Sequence, residues 1–452
     1  MRASFFAACG SVALTALGAI ASCSSDRGIR ETNQDDADAE ATGSADDAQA
    51  FDAGVPDEPR TDSGARDSGA RDSGSFDGGP LPVVCASAPC ATSLVTTRGR
   101  SDDDNAEGFC ALLDDGKVAC WGANGAGQLG RGAGANSVTA AHVVGLSDIV
   151  QLDHTCALDS DGGIWCWGTG PFLRNDAGAV TTERTPLKLA LPPAKSVGLG
   201  VGVACASVDD GVTCWGENSS RIVSAESAAV LAPQVISVPP GASIRDVVVG
   251  NAAFVLREDR ETVSWGAKTL IARVSSLAVD PYPRPIALAG VSSIDVTSDS
   301  ACATAAGIGY CWGRAMRPAT FTDLPFERGL PVPVVTPEPI VQIATTRSIE
   351  AWVSNKTIIQ PQRWCAVAAS GNVYCWGYNA SGQAGDGTTD HALEAVQVDL
   401  PERAVEVRTM PDATCALLTS GEVYCWGSND YGQLGSGTIG EPSSIPQRVV
   451  LP

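Results

Sequence analysis

Hydrophobic and polar residues follow one short pattern at seven places along this chain. In each copy, two apolar runs flank a polar turn, and the second run ends in Trp-Gly. The clearest copy reads F-C-A-L-L-D-D-G-K-V-A-C-W-G from Phe109. Two apolar runs around an Asp/Ser-Gly turn predict a β-hairpin. The Trp-Gly pairs begin at Trp121, Trp167, Trp215, Trp265, Trp312, Trp376 and Trp426.

Cysteine pairs accompany six of these hairpins, with one cysteine in each apolar run. Four pairs share a spacing that leaves a three-residue loop ending in Gly, a residue that accepts the positive φ such loops require. Folding the hairpins in this way places each pair opposite one another, at a separation that suits a disulfide. These pairs are Cys110/Cys120, Cys156/Cys166, Cys365/Cys375 and Cys415/Cys425. Two closer pairs predict a loop one residue shorter: Cys205/Cys214 and Cys302/Cys311.

The fourth copy lacks both cysteines together and has Phe254 and Ser264 in their places. Joint loss is expected of a bonded pair and is not expected of independent thiols. No Cys or His spacing suits a metal site, so we expect no metal. Cys85 and Cys90 form a seventh predicted pair. The sequence therefore predicts cross-strand disulfides over reduced core cysteines, and an oxidising compartment.

The residues after Trp-Gly carry a more specific signal. Three copies continue in the form Trp-Gly-x-Asn-x-x-Gly-Gln-x-Gly, and they span Cys120–Gly130, Cys375–Gly385 and Cys425–Gly435. This motif resembles the repeat of the regulator-of-chromosome-condensation family. The resemblance covers residues 85–452 and implies an all-β fold, a seven-bladed β-propeller. Repeats of roughly 40–50 residues with four strands each also suit propeller blades.

The last residues of the chain, Pro446–Pro452, look like the first strand of an eighth repeat. We expect this strand to complete a blade shared with the first repeat and so to close the ring.

The N-terminus reads as an export signal. Arg2 precedes an apolar run from Phe5 to Ile20, which is short for a membrane span and is diluted by Gly, Ser and Thr. Residues 20–23 (I-A-S-C) resemble the lipobox of bacterial lipoproteins, which implies lipidation of Cys23 after removal of the preceding residues. Ordinary signal cleavage beside an incidental cysteine is the alternative. We expect a protein anchored in the cell envelope by lipid alone, at the outer membrane or cell surface.

Residues 24–84 are rich in Asp, Ala, Gly and Ser and hold almost no large apolar side chain. Such a segment buries too little apolar surface to repay ordering, so we expect a disordered acidic linker. The whole chain carries a formal net charge of −22. This acidity argues against a nucleic-acid partner, since nucleic acids are bound through basic faces.

Signals for catalysis are weak. The sequence has no Gly-x-Ser-x-Gly, phosphate-loop or His-Glu-x-x-His motif, and its three histidines are isolated. We expect no enzyme activity and no cofactor. Two insertions depart from the repeat, one from Arg98 to Gly108 and one over roughly Thr345–Arg363. Loops on a rigid scaffold often bind partners, although neutral loop drift is an equal alternative. The candidate binding residues are Asp102, Asp103, Asp104, Trp352, Lys356, Ile358 and Arg363.

Both insertions fall between a first strand and its hairpin, so we expect them on one face. The leading functional hypothesis is a monomeric surface protein that presents this face to an unknown protein or glycan. Nucleotide exchange on a small GTPase, the founding activity of the resembled family, requires a different compartment. An envelope enzyme acting on polysaccharide is the third hypothesis, and buried carboxylates on the insertion face would support it.

Overall fold

The computed structural model describes residues 78–99, 106–132, 134–173, 180–209, 211–226, 229–315, 326–353 and 356–452. Over these ranges the regular structure consists of β-strands and one short 3-10 helix, Pro171–Leu173. The predicted signal peptide, Cys23, most of the predicted linker and Asp102, Asp103 and Asp104 lie outside the described residues.

Seven four-stranded antiparallel sheets follow one another along the chain, each built from strands in chain order. Blades 1 and 2 are β1 (Ala91–Thr96), β2 (Gly108–Leu113), β3 (Val118–Gly122), β4 (Ser137–His142), β5 (Ile149–Asp153), β6 (Cys156–Asp159), β7 (Ile164–Gly170) and β8 (Thr181–Lys188). Blades 3 and 4 are β9 (Ser196–Leu199), β10 (Val203–Val208), β11 (Gly211–Gly216), β12 (Leu231–Ile236), β13 (Ile244–Val249), β14 (Ala252–Arg257), β15 (Thr262–Ala267) and β16 (Val279–Pro285).

The remaining blades follow the same order, and an extra hairpin interrupts the sixth. Blade 5 is β17 (Val291–Val296), β18 (Ser300–Ala305), β19 (Ile308–Ala315) and β20 (Phe326–Pro333). Blade 6 begins with β21 (Ile340–Thr345), continues after the hairpin β22 (Ile349–Val353) and β23 (Lys356–Gln360), and ends with β24 (Arg363–Ala368), β25 (Val373–Gly377) and β26 (Ala392–Val398). Blade 7 is β27 (Ala404–Thr409), β28 (Ala413–Leu418), β29 (Val423–Gly427) and β30 (Ser443–Arg448).

The first strands of the blades contact one another in a closed ring, because β1, β5, β9, β13, β17, β21 and β27 each touch the next and β27 touches β1. These strands therefore surround the central axis of a seven-bladed β-propeller. This confirms the predicted fold class.

The hairpin geometry follows the prediction from cysteine spacing. Cys110 lies opposite Cys120 on β2 and β3, with their Cα atoms 4.1 Å apart. Gly116 ends the connecting loop with a φ of +74°, which a glycine adopts without strain. In the shorter turn between Cys302 and Cys311, both loop residues have positive φ, as a tight hairpin turn requires.

The Trp-Gly dipeptide joins neighbouring blades. Trp121 is fully buried, and Gly122 lies at a β-bulge with a φ of +96°. A Cβ atom at Gly122 would lie 2.6 Å from the backbone of Glu107 and Gly108, so a larger residue does not fit. Six of these tryptophans donate a hydrogen bond from Nε1 to a backbone carbonyl of the preceding blade, namely Trp121, Trp167, Trp215, Trp265, Trp312 and Trp426.

The prediction of a shared closing blade is wrong. The final strand β30 pairs with β29 of the same blade, and β1 already gives the first blade its own fourth strand. Blades 7 and 1 instead meet through side chains, since Trp121 Nε1 donates to the Gln433 carbonyl at 3.0 Å. The backbone N–H of Leu94 also donates to Glu406 Oε2 at 2.9 Å. The ring therefore closes through a tryptophan hydrogen bond of the kind that joins other blades. Blades 7 and 1 share no strand.

Blade 4 shows what replaces a disulfide. Phe254 and Ser264 lie opposite each other in the register that cysteines occupy elsewhere. Phe254 packs edge-on against Trp312, with ring centroids 6.2 Å apart. Ser264 Oγ donates to the Ile271 carbonyl at 2.6 Å. Packing and one hydrogen bond therefore fill the position of the missing bridge.

Candidate functional site

The two insertions emerge on the same side of the propeller. Residues 97–107 connect β1 to β2, and residues 346–362 connect β21 to β24, so both lie where a first strand meets a second strand. We call this side the insertion face. The prediction that the two insertions share one face is thus confirmed. The opposite face carries the hairpin turns and the links between blades.

The sixth-blade insertion is a hairpin. The backbone register pairs Trp352 with Thr357 and Ala351 with Ile358, and Val353 pairs with Lys356 at its tip. Near its base, the Gln360 side chain donates to Asp412 Oδ1 at 2.8 Å. The hairpin therefore extends from the insertion face and is held at its base by blade 7. Whether Trp352, Lys356 and Ile358 bind a partner stays a prediction.

Arg363 requires a correction, because it is not part of an exposed loop. It is the first residue of β24 and is 1% exposed. Its guanidinium donates to the carbonyls of Met410 and Gln383 and to Thr414 Oγ1. Arg363 lies two residues before a hairpin cysteine, where other repeats have small residues such as Gly108 and Ala413. This position within the repeat indicates a buried strand residue.

The chain enters the propeller from the opposite face. Residues Gly78–Val83 line a cavity of about 490 Å³ together with first-strand residues such as Val341 and Val405. The backbone N–H of Val84 donates to the Thr419 carbonyl at 2.7 Å. Because first-strand residues surround the axis, residue 78 lies beside the axis, on the face without insertions.

Polar side chains of the first strands bind the backbone of the next blade around the axis. Asp153 Oδ2 accepts a hydrogen bond from the Leu199 N–H at 2.6 Å, and Asp295 Oδ2 accepts one from the Thr345 N–H at 2.7 Å. Burial raises the pKa of Asp153 to about 6, although the Leu199 N–H and Arg98 oppose the shift. Further contacts of this kind join Gln151 to Val197, Gln342 to Val407 and Glu406 to Leu94.

The first strands surround a channel along the axis, and His154 lies at its insertion-face end. The backbone of His154 has a positive φ of 50°. Its Nε2 lies 2.9 Å from Arg98 Nη2, and its Nδ1 lies 2.9 Å from the Thr96 carbonyl. Arginine can only donate, so Nε2 accepts and Nδ1 carries the proton. Burial and the charge of Arg98 lower the pKa of His154 well below its usual value. A neutral His154 therefore positions Arg98.

A cavity of about 160 Å³ opens beside this channel end on the insertion face. Both ends of the first insertion line it, through Thr97, Arg98 and Glu107, and Arg347 lines it from the start of the second. The structure thus brings together residues from the roots of both insertions. The other lining residues are Gly99, Thr169, Gly170, Pro171, Phe172, Val180, Gly200, Val201, Gly202, Glu217, Met410 and Pro411.

Glu107 is a buried carboxyl of this cavity, with 1% of its surface exposed. Its Oε1 accepts a hydrogen bond from the Asp412 N–H at 2.7 Å. Burial, followed by the negative charge of Asp412, raises the pKa of Glu107 to about 8, against the opposing charge of Arg363. Glu107 therefore keeps its proton to a higher pH than an ordinary carboxyl, and in that form it can donate as well as accept a hydrogen bond.

Seven disulfides join the predicted cysteines, and their pairing is confirmed throughout: Cys85–Cys90, Cys110–Cys120, Cys156–Cys166, Cys205–Cys214, Cys302–Cys311, Cys365–Cys375 and Cys415–Cys425. So many disulfides indicate an extracellular or exported protein. In the part of the chain that the structure describes, no helix is long and apolar enough to cross a membrane.

Comparison with known families identifies the repeats. Two family models described as the Regulator of chromosome condensation (RCC1) repeat match the sequence, one over residues 420–452 and the other over residues 106–128 and 152–173. These segments cover the hairpin and Trp-Gly regions of blades 1 and 2, and in blade 7 the last two strands with their Trp-Gly dipeptide. No curated protein matches the sequence.

Solved structures of the same fold superpose on most of the propeller. Yeast RCC1 (Prp20) bound to Kap60 matches with a TM-score of 0.59 at 16% identity, covering 74% of this chain and 83% of that chain. Saccharomyces cerevisiae Prp20p, described together with its binding to Gsp1p and histones, matches with a TM-score of 0.58 at 18% identity, covering 75% and 87%. Human WBSCR16 matches with a TM-score of 0.57 at 18% identity, covering 74% and 95%. At these identities the likeness concerns the fold.

Proposed function

Since this chain is an RCC1-type repeat protein, we propose that it is an exported, non-catalytic binding protein whose insertion face contacts a protein or glycan partner. The observation that carries the proposal is the arrangement of the two faces. The roots of both insertions and the lined cavity lie on one face, and residue 78 enters beside the axis on the other.

A lipid anchor on Cys23 fits this arrangement, with the predicted linker of residues 24–84 as a spacer that ends before residue 78, because its last residues pack on the propeller. A chain tethered through the opposite face presents its insertion face away from the membrane. Mass spectrometry of the protein from its native membrane tests the anchor. We expect a mature N-terminus at an acylated Cys23, and an unmodified Cys23 would contradict this part of the proposal.

Capture of a partner from the native envelope tests the role of the insertion face. The register pairs Glu350 with Ile359, so replacing residues 351–358 by Asn-Gly shortens the hairpin β22–β23 with a turn that hairpins favour. We expect this variant to retain its melting temperature and to lose most of the captured partner.

The matched control alters the opposite face. Asp259 and Arg260 lie in the turn between β14 and β15, and Arg260 has a φ of 66°. The double substitution D259N/R260G keeps that turn geometry. We expect it to capture the partner as the wild type does. If this control lost the partner while the shortened hairpin captured it fully, binding would belong to the opposite face. That result would overturn the proposal.

An envelope enzyme acting on polysaccharide is a second candidate, favoured by the raised pKa of Glu107 in a cavity that Glu217 also lines. The neighbouring carboxylates Asp153, Asp295 and Asp299 are engaged in the fold, because each accepts a backbone N–H group. Release of reducing ends from envelope polysaccharide by the wild type, and its absence in Glu107→Gln, would support this candidate. We do not propose exchange on a cytosolic GTPase, because reducing compartments do not sustain such disulfides.

A further inference from the structure

Three polar side-chain atoms at the insertion-face end of the axis are buried without a hydrogen-bond partner among the described residues. They are Thr97 Oγ1, Thr409 Oγ1 and Glu107 Oε2. Thr97 and Glu107 line the 160 Å³ cavity, and Thr97 and Thr409 line the adjoining channel end. Thr97 and Glu107 are each 1% exposed.

Such orphaned atoms are uncommon in folded proteins. Burying a polar group without a partner costs about 1–3 kcal/mol, and most buried polar groups are therefore bonded. Two hydroxyls and a neutral carboxyl can each donate and accept. Their clustering at one opening indicates a bound molecule that does the same, such as a molecule with several hydroxyl groups.

The cavity also has an apolar side. Pro171, Phe172, Met410 and Pro411 line it beside the polar groups, and the glycines Gly170, Gly200 and Gly202 also line it. Its volume of about 160 Å³ equals about five waters at roughly 30 Å³ each. A six-membered sugar ring has a similar size, and it combines an apolar C–H face with hydroxyl groups.

Charged side chains also line this cavity. Among the described residues, Arg98 and Arg347 contribute guanidinium groups and Glu217 contributes a carboxylate. Arg98 is held in place by His154. A guanidinium binds a carboxylate in a planar, bidentate manner, so two arginines favour a ligand that carries a carboxylate.

We propose that the insertion-face cavity binds one hexuronate residue of an acidic polysaccharide. Arg98 and Arg347 bind the carboxylate, Thr97 and Glu107 bind hydroxyl groups, and the apolar wall around Pro171 packs against the ring. This inference rests on the proposed binding function and narrows its partner to a glycan.

Calorimetric titration of the purified, oxidised full chain tests the inference. The probes are a hexuronate trisaccharide and a neutral glucose trisaccharide of the same length. We expect the acidic probe alone to bind, and to bind more weakly at high salt because salt screens the arginines. Thr97→Val removes only the orphaned hydroxyl, and we expect it to weaken binding about fivefold to tenfold with no loss of melting temperature.

Thr262→Val is the matched control, because Thr262 Oγ1 is also buried without a partner but lies in blade 4, away from the cavity. We expect it to bind as the wild type does. Equal binding of the neutral probe, or unchanged binding by Thr97→Val, would overturn the inference. If neither saccharide binds while capture still depends on the hairpin β22–β23, the hexuronate site is wrong and the proposed binding face stands.

Discussion

Two groups of polar side chains in this propeller differ in how they are bonded. The first group joins blades, as Asp153, Asp295, Glu406 and Arg363 bond to the backbone of a neighbouring blade. We call these the inter-blade braces. The second group lines the insertion-face cavity, where Thr97 Oγ1 and Glu107 Oε2 have no partner among the described residues.

The difference separates stability from binding. A brace recovers the cost of its own burial and satisfies a backbone group that would otherwise be orphaned. A cavity side chain such as Thr97 stabilises nothing that the structure shows. Substitutions in the braces should therefore lower stability, and removing the unpartnered hydroxyl of Thr97 should leave it unchanged.

The largest expected effect is at Arg363. Arg363→Met keeps the apolar stem but leaves the buried Met410 carbonyl without its donor. We expect a loss of about 3–5 kcal/mol in the free energy of unfolding, the range for breaking a buried charged network. Urea unfolding of the oxidised protein measures it. The control Arg448→Met removes an exposed ion pair with Glu422 and should change stability by less than about 1 kcal/mol. Equal effects in both variants would refute the brace role of Arg363.

Glu406 should have the next largest effect, because it bridges the closing junction. It accepts from the Leu94 N–H of blade 1 and pairs with Arg408 at 2.5 Å. We expect Glu406→Ala to cost about 2 kcal/mol, since it orphans a backbone N–H and part of a guanidinium. Glu406→Gln should recover part of this loss because its amide oxygen still accepts. A Gln variant as unstable as the Ala variant would contradict the hydrogen-bonding role.

The effect of pH on stability should be smaller than the effects at Arg363 and Glu406. It depends on Glu107, which lines the cavity and also accepts a hydrogen bond from blade 7. Its folded-state pKa of about 8 lies above the ordinary 4.5, so its contribution to stability is complete below 4.5 and is lost as the pH rises through 8. The raised pKa of Asp153 adds to the lower part of that window. We expect the melting temperature to fall from pH 4.5 to pH 8.

Glu107→Gln cannot ionise, so it should flatten the upper part of this slope. Asp412, Arg363 and Gln433 face the Glu107 carboxyl and stay in place. Differential scanning calorimetry across this pH range checks the difference. An unchanged slope in the variant would mean that Glu107 does not hold its proton above its usual range.

The smallest expected effect is at Thr97. Thr97→Val preserves shape and removes a hydroxyl without a partner, so the free energy of unfolding should stay within about 0.5 kcal/mol of the wild type. Chemical denaturation measures it. A loss above about 1 kcal/mol would show that the Thr97 hydroxyl is bonded in the fold, and it would remove the contrast between the two groups.

The repeat itself could be predicted from sequence because its signals are local. Cys110, Gly116 and Cys120 define one hairpin within a short stretch of sequence. The fourth copy has Phe254 and Ser264 in place of both cysteines, and this joint absence supports the predicted pairing. Arg363 was open to the same reasoning, since its position before Cys365 aligns with strand residues in other repeats. Its place at the end of an insertion that lacks the repeat pattern favours a loop instead, and this explains the wrong prediction.

Contacts between blades could not be predicted in the same way. The hydrogen bond from Trp121 to the Gln433 carbonyl joins residues of the first and last blades, which lie far apart in the sequence. No local sequence pattern shows that this bond replaces a shared blade. The alternation of Gln151 and Asp153 along a first strand does indicate a polar face. The meeting of Thr97, Glu107 and Arg347 depends on how three segments pack, which spacing along the chain does not specify.

A side-by-side test of Thr97→Val and Glu406→Ala addresses the separation of stability from binding most directly. Each oxidised full chain would be measured for its free energy of unfolding and for hexuronate binding below its melting temperature. The account predicts that Thr97→Val loses binding and keeps its stability, and that Glu406→Ala loses stability and keeps binding. If the two properties fall together in both variants, the braces and the cavity are one system, and the account is contradicted.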